Sequence, residues 1–325
     1  MKKIAVTGAN GFIGSRLCDL LRKSEHKVVC LVRHGSDISL LNEAAEIRYV
    51  EYNKPSSLRE ALSGCEILIH AAALTRARKW DDFQKTNIDL VEQLVELTNG
   101  IEGFEQFIFL SSQAAAGPAI SAIGKKESEP CNPLSMYGKS KRVAEIIIED
   151  KCAHAWTIIR PVSVFGPGEK DFLEYYKIVN SGIAPLIGMT DKYFNFIYVD
   201  DLCSLIDKSI GNPAAANECF FAAGNENISM SGFAYIIAQA LNKKIFELRI
   251  PLTVLYIAAL INELIALTRK SIPAFNRGKF REARQRYWLV DTQKANDLLG
   301  WQATSTIASQ MKITIKWNKA RKLLK

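Results

Sequence analysis

Eight residues near the start constrain the fold more than any other stretch of the chain. Thr7-Gly8-Ala9-Asn10-Gly11-Phe12-Ile13-Gly14 joins a short apolar run, Lys3–Thr7, to a segment in which Phe12, Ile13, Leu17, Leu20 and Leu21 recur with helical spacing. Glycines spaced by three at a strand-to-helix junction let the backbone turn tightly, approach a ligand closely and pack the helix onto the strand. The start of the helix then offers free N–H groups and a partial positive charge, a seat for a diphosphate. A glycine triplet alone says little, but in this context it reads as a dinucleotide-binding turn.

The pattern after the turn agrees. Apolar strands are expected at 27–32, 47–52, 67–71, 106–111 and 156–160, with helices at 58–62, 87–98 and 137–152 between them. That alternation predicts an α/β protein of the Rossmann type, a doubly wound parallel sheet covered by helices on both faces. Ligands of such sheets bind at the carboxyl ends of the strands. Gly166-Pro167-Gly168 breaks the regularity. The reading is therefore a dinucleotide-binding domain over 1–165, to which 196–210 returns, and a smaller, interleaved C-terminal lobe over 166–325 that holds the substrate.

The 325 residues carry a net charge of +8, unevenly spread. Residues 251–325 hold 14 Lys and Arg against 4 acids, so the preceding part is slightly acidic. The basic stretch reads as a solvated face, a seat for an acidic substrate or a contact for an anionic membrane; no nucleic-acid motif accompanies it. Within it, 252–268 is strongly apolar but interrupted by Asn262 and Glu263. It is short for a membrane span of about 20 residues, so a helix packed on the small lobe is expected. An interfacial helix is the alternative, because Arg269, Lys270, Arg277, Lys279 and Arg281 follow, making 252–286 a candidate for peripheral membrane contact. The seven cysteines stand singly, which argues against a metal site or disulfide framework and suits a reducing cytoplasm. The apolar stretch after Lys2-Lys3 is too short for a signal peptide.

The end of the second strand bears on which dinucleotide binds. It reads Leu31-Val32-Arg33-His34-Gly35-Ser36-Asp37, with no carboxylate at the strand end. The Arg33 guanidinium suits the 2′-phosphate of NADP, with Ser36 as a further donor. In the alternative, Arg33 stacks on the adenine while Asp37 reaches the ribose of NAD.

Tyr137 and Lys141 stand four apart at the start of an expected helix and so share a face. A tyrosine is a poor base at neutral pH until a nearby cation favours its phenolate. So tuned, it exchanges a proton with a substrate hydroxyl or carbonyl while hydride moves. Ser111-Ser112, at the end of the fifth strand, offers a hydroxyl for the same oxygen.

These motifs together resemble the extended short-chain dehydrogenase/reductase superfamily, also called the NAD-dependent epimerase/dehydratases. The likeness rests on the Thr7–Gly14 turn, His70-Ala71-Ala72-Ala73, Asn87, Ser111-Ser112, Tyr137 with Lys141, Arg160-Pro161, Phe165-Gly166-Pro167-Gly168 and Phe196-Ile197-Tyr198-Val199-Asp200-Asp201. It implies Tyr137 as acid/base, Lys141 as its partner on the nicotinamide ribose, and Ser112 as the oxygen-holding hydroxyl. It also implies a cofactor seat of Gly8, Asn10, Gly11, Phe12, Ile13, Gly14, Arg33, Ser36, Glu51, Tyr52, Ala71, Ala72, Ala73, Asn87, Pro161 and Val164. Glu51 stands where the family has an acid near the adenine. His70 reads as a satisfied strand-end histidine rather than a proton relay. Ser112-Gln113-Ala114 replaces the Thr-Asp-Glu of sugar dehydratases, which argues against that reaction. The region after Arg33 and the 291–301 segment resemble dihydroflavonol reductase-like and 3β-hydroxysteroid dehydrogenase-like members.

The expected activity is accordingly NADP-dependent hydride transfer between a ketone and a secondary alcohol of a fairly apolar substrate. The alternatives are a nucleotide-sugar epimerase or 4-ketoreductase and a non-catalytic cofactor sensor. The family often dimerises through two helices, here 87–98 and 137–152.

Overall fold

The computed structural model describes residues 1–269 and 275–324. Among them, β1 (Lys3–Thr7), β2 (Lys27–Arg33), β3 (Glu46–Val50), β4 (Ile67–His70), β5 (Gln106–Leu110), β6 (Ala155–Pro161) and β7 (Glu218–Ala222) form one parallel sheet in the order β7-β6-β5-β4-β1-β2-β3. The chain leaves the β3 edge and returns on the other side of β1, so the topological switch point lies between β1 and β4. Register pairs Thr7 with both Leu31 and His70, so the first turn and the loop after β4 leave the sheet side by side.

Helices α1 (Phe12–Lys23), α2 (Pro55–Ala61), α3 (Leu90–Asn99) and α4 (Met136–Lys151) fill the crossovers. Each strand alternates its side chains between two cores. Ile4 and Val6 pack with Leu17 and Leu21 of α1, while Ala5 between them packs with Leu58 of α2 and Leu94 of α3. The expected helix over 87–98 begins differently: Gln84–Asp89 is wound as a π-helix and passes into α3.

The segment 196–210 approaches the first sheet as a helix. Strand Tyr193–Tyr198 belongs to a second sheet with Ser163–Phe165, Asn227–Ser229 and Tyr287–Trp288. Helix α5 (Val199–Ser209) then packs on α1, where Arg16 makes a bidentate pair with Asp200 at 2.7 Å. The seventh strand of the parallel sheet is β7, contributed from within the stretch assigned to the small lobe. Beyond it, strands Ile183–Ile187 and Phe246–Ile250 pair in parallel and lead into α6 (Leu252–Arg269) and α7 (Arg277–Ala283). Lys270, named among the bases after the apolar stretch, lies outside the described residues. No helix among the described residues is long and apolar enough to cross a membrane.

Candidate active site

The turn after β1 has the geometry its glycines suggest. Gly8 sits at φ +67°, and a Cβ there would come within 2.8 Å of the Ala72 nitrogen. A Cβ at Gly14 would lie 2.1 Å from the Gly8 carbonyl oxygen. Gly11 caps α1 without a side chain, and no acid stands in the first turn of the helix. Its amide donates to Gly8 O at 2.9 Å, which closes the turn. A helix start with a glycine cap and no acid in its first turn fits a diphosphate. Phe12 and Ile13 are half-buried and pack on the core behind it.

On the far wall, the Ala72 amide donates to Thr7 Oγ1 at 3.2 Å, and Thr7 Oγ1 lies 2.7 Å from His70 Nδ1. His70 stacks on Phe109 and is buried, and burial drives its pKa down to about 3, so it is a neutral imidazole bound to Thr7. Asn87 was expected against the cofactor. Its side chain grips Leu74 through both backbone groups, at 2.8 and 2.9 Å, and donates to Ser140 at 3.0 Å. In this arrangement it fixes the loop carrying Ala71, Ala72 and Ala73 to α4.

A cleft of about 350 Å³ opens past the ends of β2 and β3, lined by Arg33, His34, Val50, Glu51, Tyr52 and Asn53. Arg33 is exposed at its lip, and His34 stacks on Tyr49 at 4.8 Å. The Glu51 carboxylate pairs with Lys54 at 2.8 Å, and that of Asp37 accepts the Ser39 amide at 2.9 Å. Asn10 donates to the Asp37 carbonyl at 2.9 Å and so ties the glycine turn to this loop. Ser36 stands a turn beyond Arg33, its amide donating to the Arg33 carbonyl. Tyr52 is half-buried, and loss of solvent pushes its hydroxyl up to about 12.

The proton-transfer group is assembled around another close approach. A Cβ at Gly138 would lie 2.3 Å from the Ala114 carbonyl oxygen, so glycine there lets the short helix Gln113–Ala116 press against α4. Ser112 caps that short helix, accepting from the Ala114 amide at 3.1 Å, and its hydroxyl favours the Tyr137 phenolate. Desolvation pushes the Tyr137 hydroxyl up to about 12 against that influence, and Glu282 of α7 and Asp171 add to the rise. Lys141, one turn along α4, is buried with its ammonium donating to the Leu110 carbonyl at 2.6 Å and lying 4.0 Å from the centre of the Phe109 ring. Burial brings it down to about 7. Ser111 faces the other way, donating to Glu145 at 2.6 Å, so Ser112 is the hydroxyl of the pair that bears on the Tyr137 titration. Pro161 ends β6, and Val164 lies in the short strand after it.

Several participants went unnamed in the sequence reading. Glu145 sits two turns from Tyr137 on the same face of α4 and gathers Ser111, Arg142 and Arg160 in a buried cluster. Arg76 pairs with Asp171 at 2.7 Å and links the loop after β4 to the one after Gly168. The charge of Glu282, in the C-terminal lobe, adds to the rise at Tyr137. The four-residue spacing after Lys141 was the available signal for Glu145; the others have none in the sequence.

A family model described as the NAD dependent epimerase/dehydratase family matches residues 4–222. The chain belongs to that family. It is therefore an enzyme of the extended short-chain dehydrogenase/reductase superfamily, with an oxidoreductase's nicotinamide cofactor. It is similar to UDP-glucose 4-epimerase of Vibrio cholerae, 27% identical over 96% of this chain and 94% of that one. It is 28% identical to ceramide reductase of Caulobacter vibrioides over 61% of this chain and 57% of that one. Among solved structures, the crystal structure of gox2253 superposes with a TM-score of 0.84 at 24% identity, covering all of both chains. The family match stops before α6 and α7.

Proposed function

We propose that this enzyme uses NADP to interconvert a ketone and a secondary alcohol on a fairly apolar small molecule. The observation that carries this reading is Lys141 buried one turn from Tyr137 on α4, with Ser112 capping the short helix that Gly138 lets press against α4. The cofactor, when bound, supplies or accepts the hydride. Ser112 holds the substrate oxygen, and Tyr137 delivers a proton to it in reduction or withdraws one in oxidation. Burial pushes the Tyr137 hydroxyl up to about 12 and brings Lys141 down to about 7. A tyrosine poised as a proton donor suits carbonyl reduction. Lys141 in its charged form then lowers the cost of the phenolate left behind. Support for NADP comes from Arg33 at the cleft lip, where the two neighbouring acids, Glu51 and Asp37, are already engaged.

A second reading is a nucleotide-sugar 4-epimerase, favoured by the near full-length similarity to the Vibrio cholerae enzyme. It uses the same tyrosine and serine and returns its cofactor unchanged. In either case a homodimer is proposed through α3 and α4, which pack side by side and leave Val143 and Ile146 exposed on α4.

Titration with NADPH and with NADH, followed by tryptophan fluorescence, tests the cofactor. Reduction of apolar ketones that Tyr137→Phe abolishes, with cofactor binding kept, supports the reductase. Interconversion of UDP-glucose and UDP-galactose without net cofactor change selects the epimerase.

A further inference from the structure

Helix α6 is built inside out. Its small and polar residues turn inward: Ala259 is 0% and Ala266 5% exposed, and Asn262 and Glu263 are half-buried. Its large aliphatic residues turn outward, with Val254, Ile257, Leu260, Ile261 and Leu264 between 40% and 64% exposed. At 100° per residue these five fall within one broad stripe. The strand leading into the helix adds Phe246 at 71% and Leu248 at 47%. A helix meant to be covered by its own lobe would turn this stripe the other way, so the stripe is a surface that something else covers.

We infer that this face lies flat on an anionic lipid membrane. Charge decides the occupant. Residues 243–286 hold ten Lys and Arg against three acids. Each of those acids is paired, Glu247 with Arg249, Glu263 with Arg277 and Glu282 with Lys279. Arg277 binds Glu263 through both its amide and Nε at 2.8 Å, and Phe280 lies 5.2 Å from the Tyr256 ring. These contacts hold α7 alongside α6, and Arg281, Arg284 and Arg286, in α7 and just after it, are exposed. Lys243 and Lys244 are exposed just before the strand that leads into α6. An apolar stripe flanked by bases is what an interfacial helix presents to acidic headgroups. A second copy of this chain on the same face would set like charges against each other. With 18 residues and a polar inner face, α6 rests on the bilayer and does not cross it. The inference does not depend on which substrate the active site takes.

The test uses the full chain and vesicles of phosphatidylcholine, alone or with phosphatidylglycerol, in a flotation assay. The chain is expected to float with the anionic vesicles and not with the neutral ones. Raising salt from about 0.1 M to about 1 M shortens the screening length from about 10 Å to 3 Å and should release it. The double variant Ile257→Glu, Leu264→Glu, and separately Arg281→Glu with Arg284→Glu, should each weaken binding at least tenfold. Both should bind nicotinamide cofactor as the parent does, which shows that they fold. The inference is overturned if the parent chain ignores anionic vesicles at low salt, or if folded variants float as well as the parent. It is also overturned if Ile257→Glu, Leu264→Glu only abolishes self-association, which would give the face to a second copy.

Discussion

Arg160 grips Glu145 through two hydrogen bonds of 2.8 Å, Nε on Oε1 and Nη2 on Oε2, with both side chains at most 4% exposed. The pair joins the end of β6 to α4 and sets the helix face that carries Tyr137 and Lys141. Removing one partner of a buried pair strands the other charge, at a cost of about 3–5 kcal/mol. Glu145→Ala should therefore lower unfolding stability by that amount in urea titrations. Glu145→Gln, which keeps an acceptor for Arg160, should lose less. Equal stability of Glu145→Ala and the parent would contradict this account.

Lys141 gives stability a pH dependence of known sign. Burial holds its folded pKa near 7, below the ordinary 10.5. Between those values the unfolded chain binds the proton that the folded chain has lost, so this group makes stability rise with pH. Below about pH 7 the full penalty of the buried charge applies. Lys141→Met removes the contribution. Relative to the parent, the variant should be favoured most below pH 7, with the difference shifting steadily toward the parent up to about pH 10. A stability difference that stays constant over that range would show that Lys141 ionises as in water.

Arg33 stands at the cleft where the adenosine end of the cofactor is expected. A charge-assisted hydrogen bond is worth about 1.5–3 kcal/mol, or about ten- to a hundredfold in affinity. Arg33→Asp should weaken NADPH by that factor and leave NADH unchanged or tighter. Equal losses for both dinucleotides would place Arg33 on the adenine and not on a phosphate.

Gly14→Ala should abolish cofactor binding, because its methyl would stand 2.1 Å from the Gly8 carbonyl oxygen, and the backbone of the turn would have to shift. Calorimetric titration against NADPH and NADH measures this directly. Retained affinity for either would mean that the turn is softer than its contacts indicate.

Much of the site was legible because it lies in short contiguous stretches at strand ends. The first six strands show as apolar runs bounded by polar or glycine residues, and the structure places them within one or two residues of the expected limits. Ser112, Tyr137 and Lys141 follow from the spacing of two motifs. Glu145 did not stand out, since an acid in a helix reads as a solvated charge until the Arg160 opposite it is known. The three hydrogen bonds of Asn87 to Leu74 and Ser140, thirteen and fifty-three positions away, have no signal in the sequence. The outward stripe of α6 was equally hidden: an apolar helix has the same composition whichever side it turns in.

The contacts around Gly8 and Gly14 also bear on how an enzyme of this kind diversifies. A side chain at either position collides with backbone, and no neighbouring substitution can make room for it. The exposed loop at 33–37 carries no such restriction. Preference between cofactors can therefore drift through single residue changes while the diphosphate seat stays fixed. One part of the site is open to evolutionary tinkering, and the other can only be inherited whole.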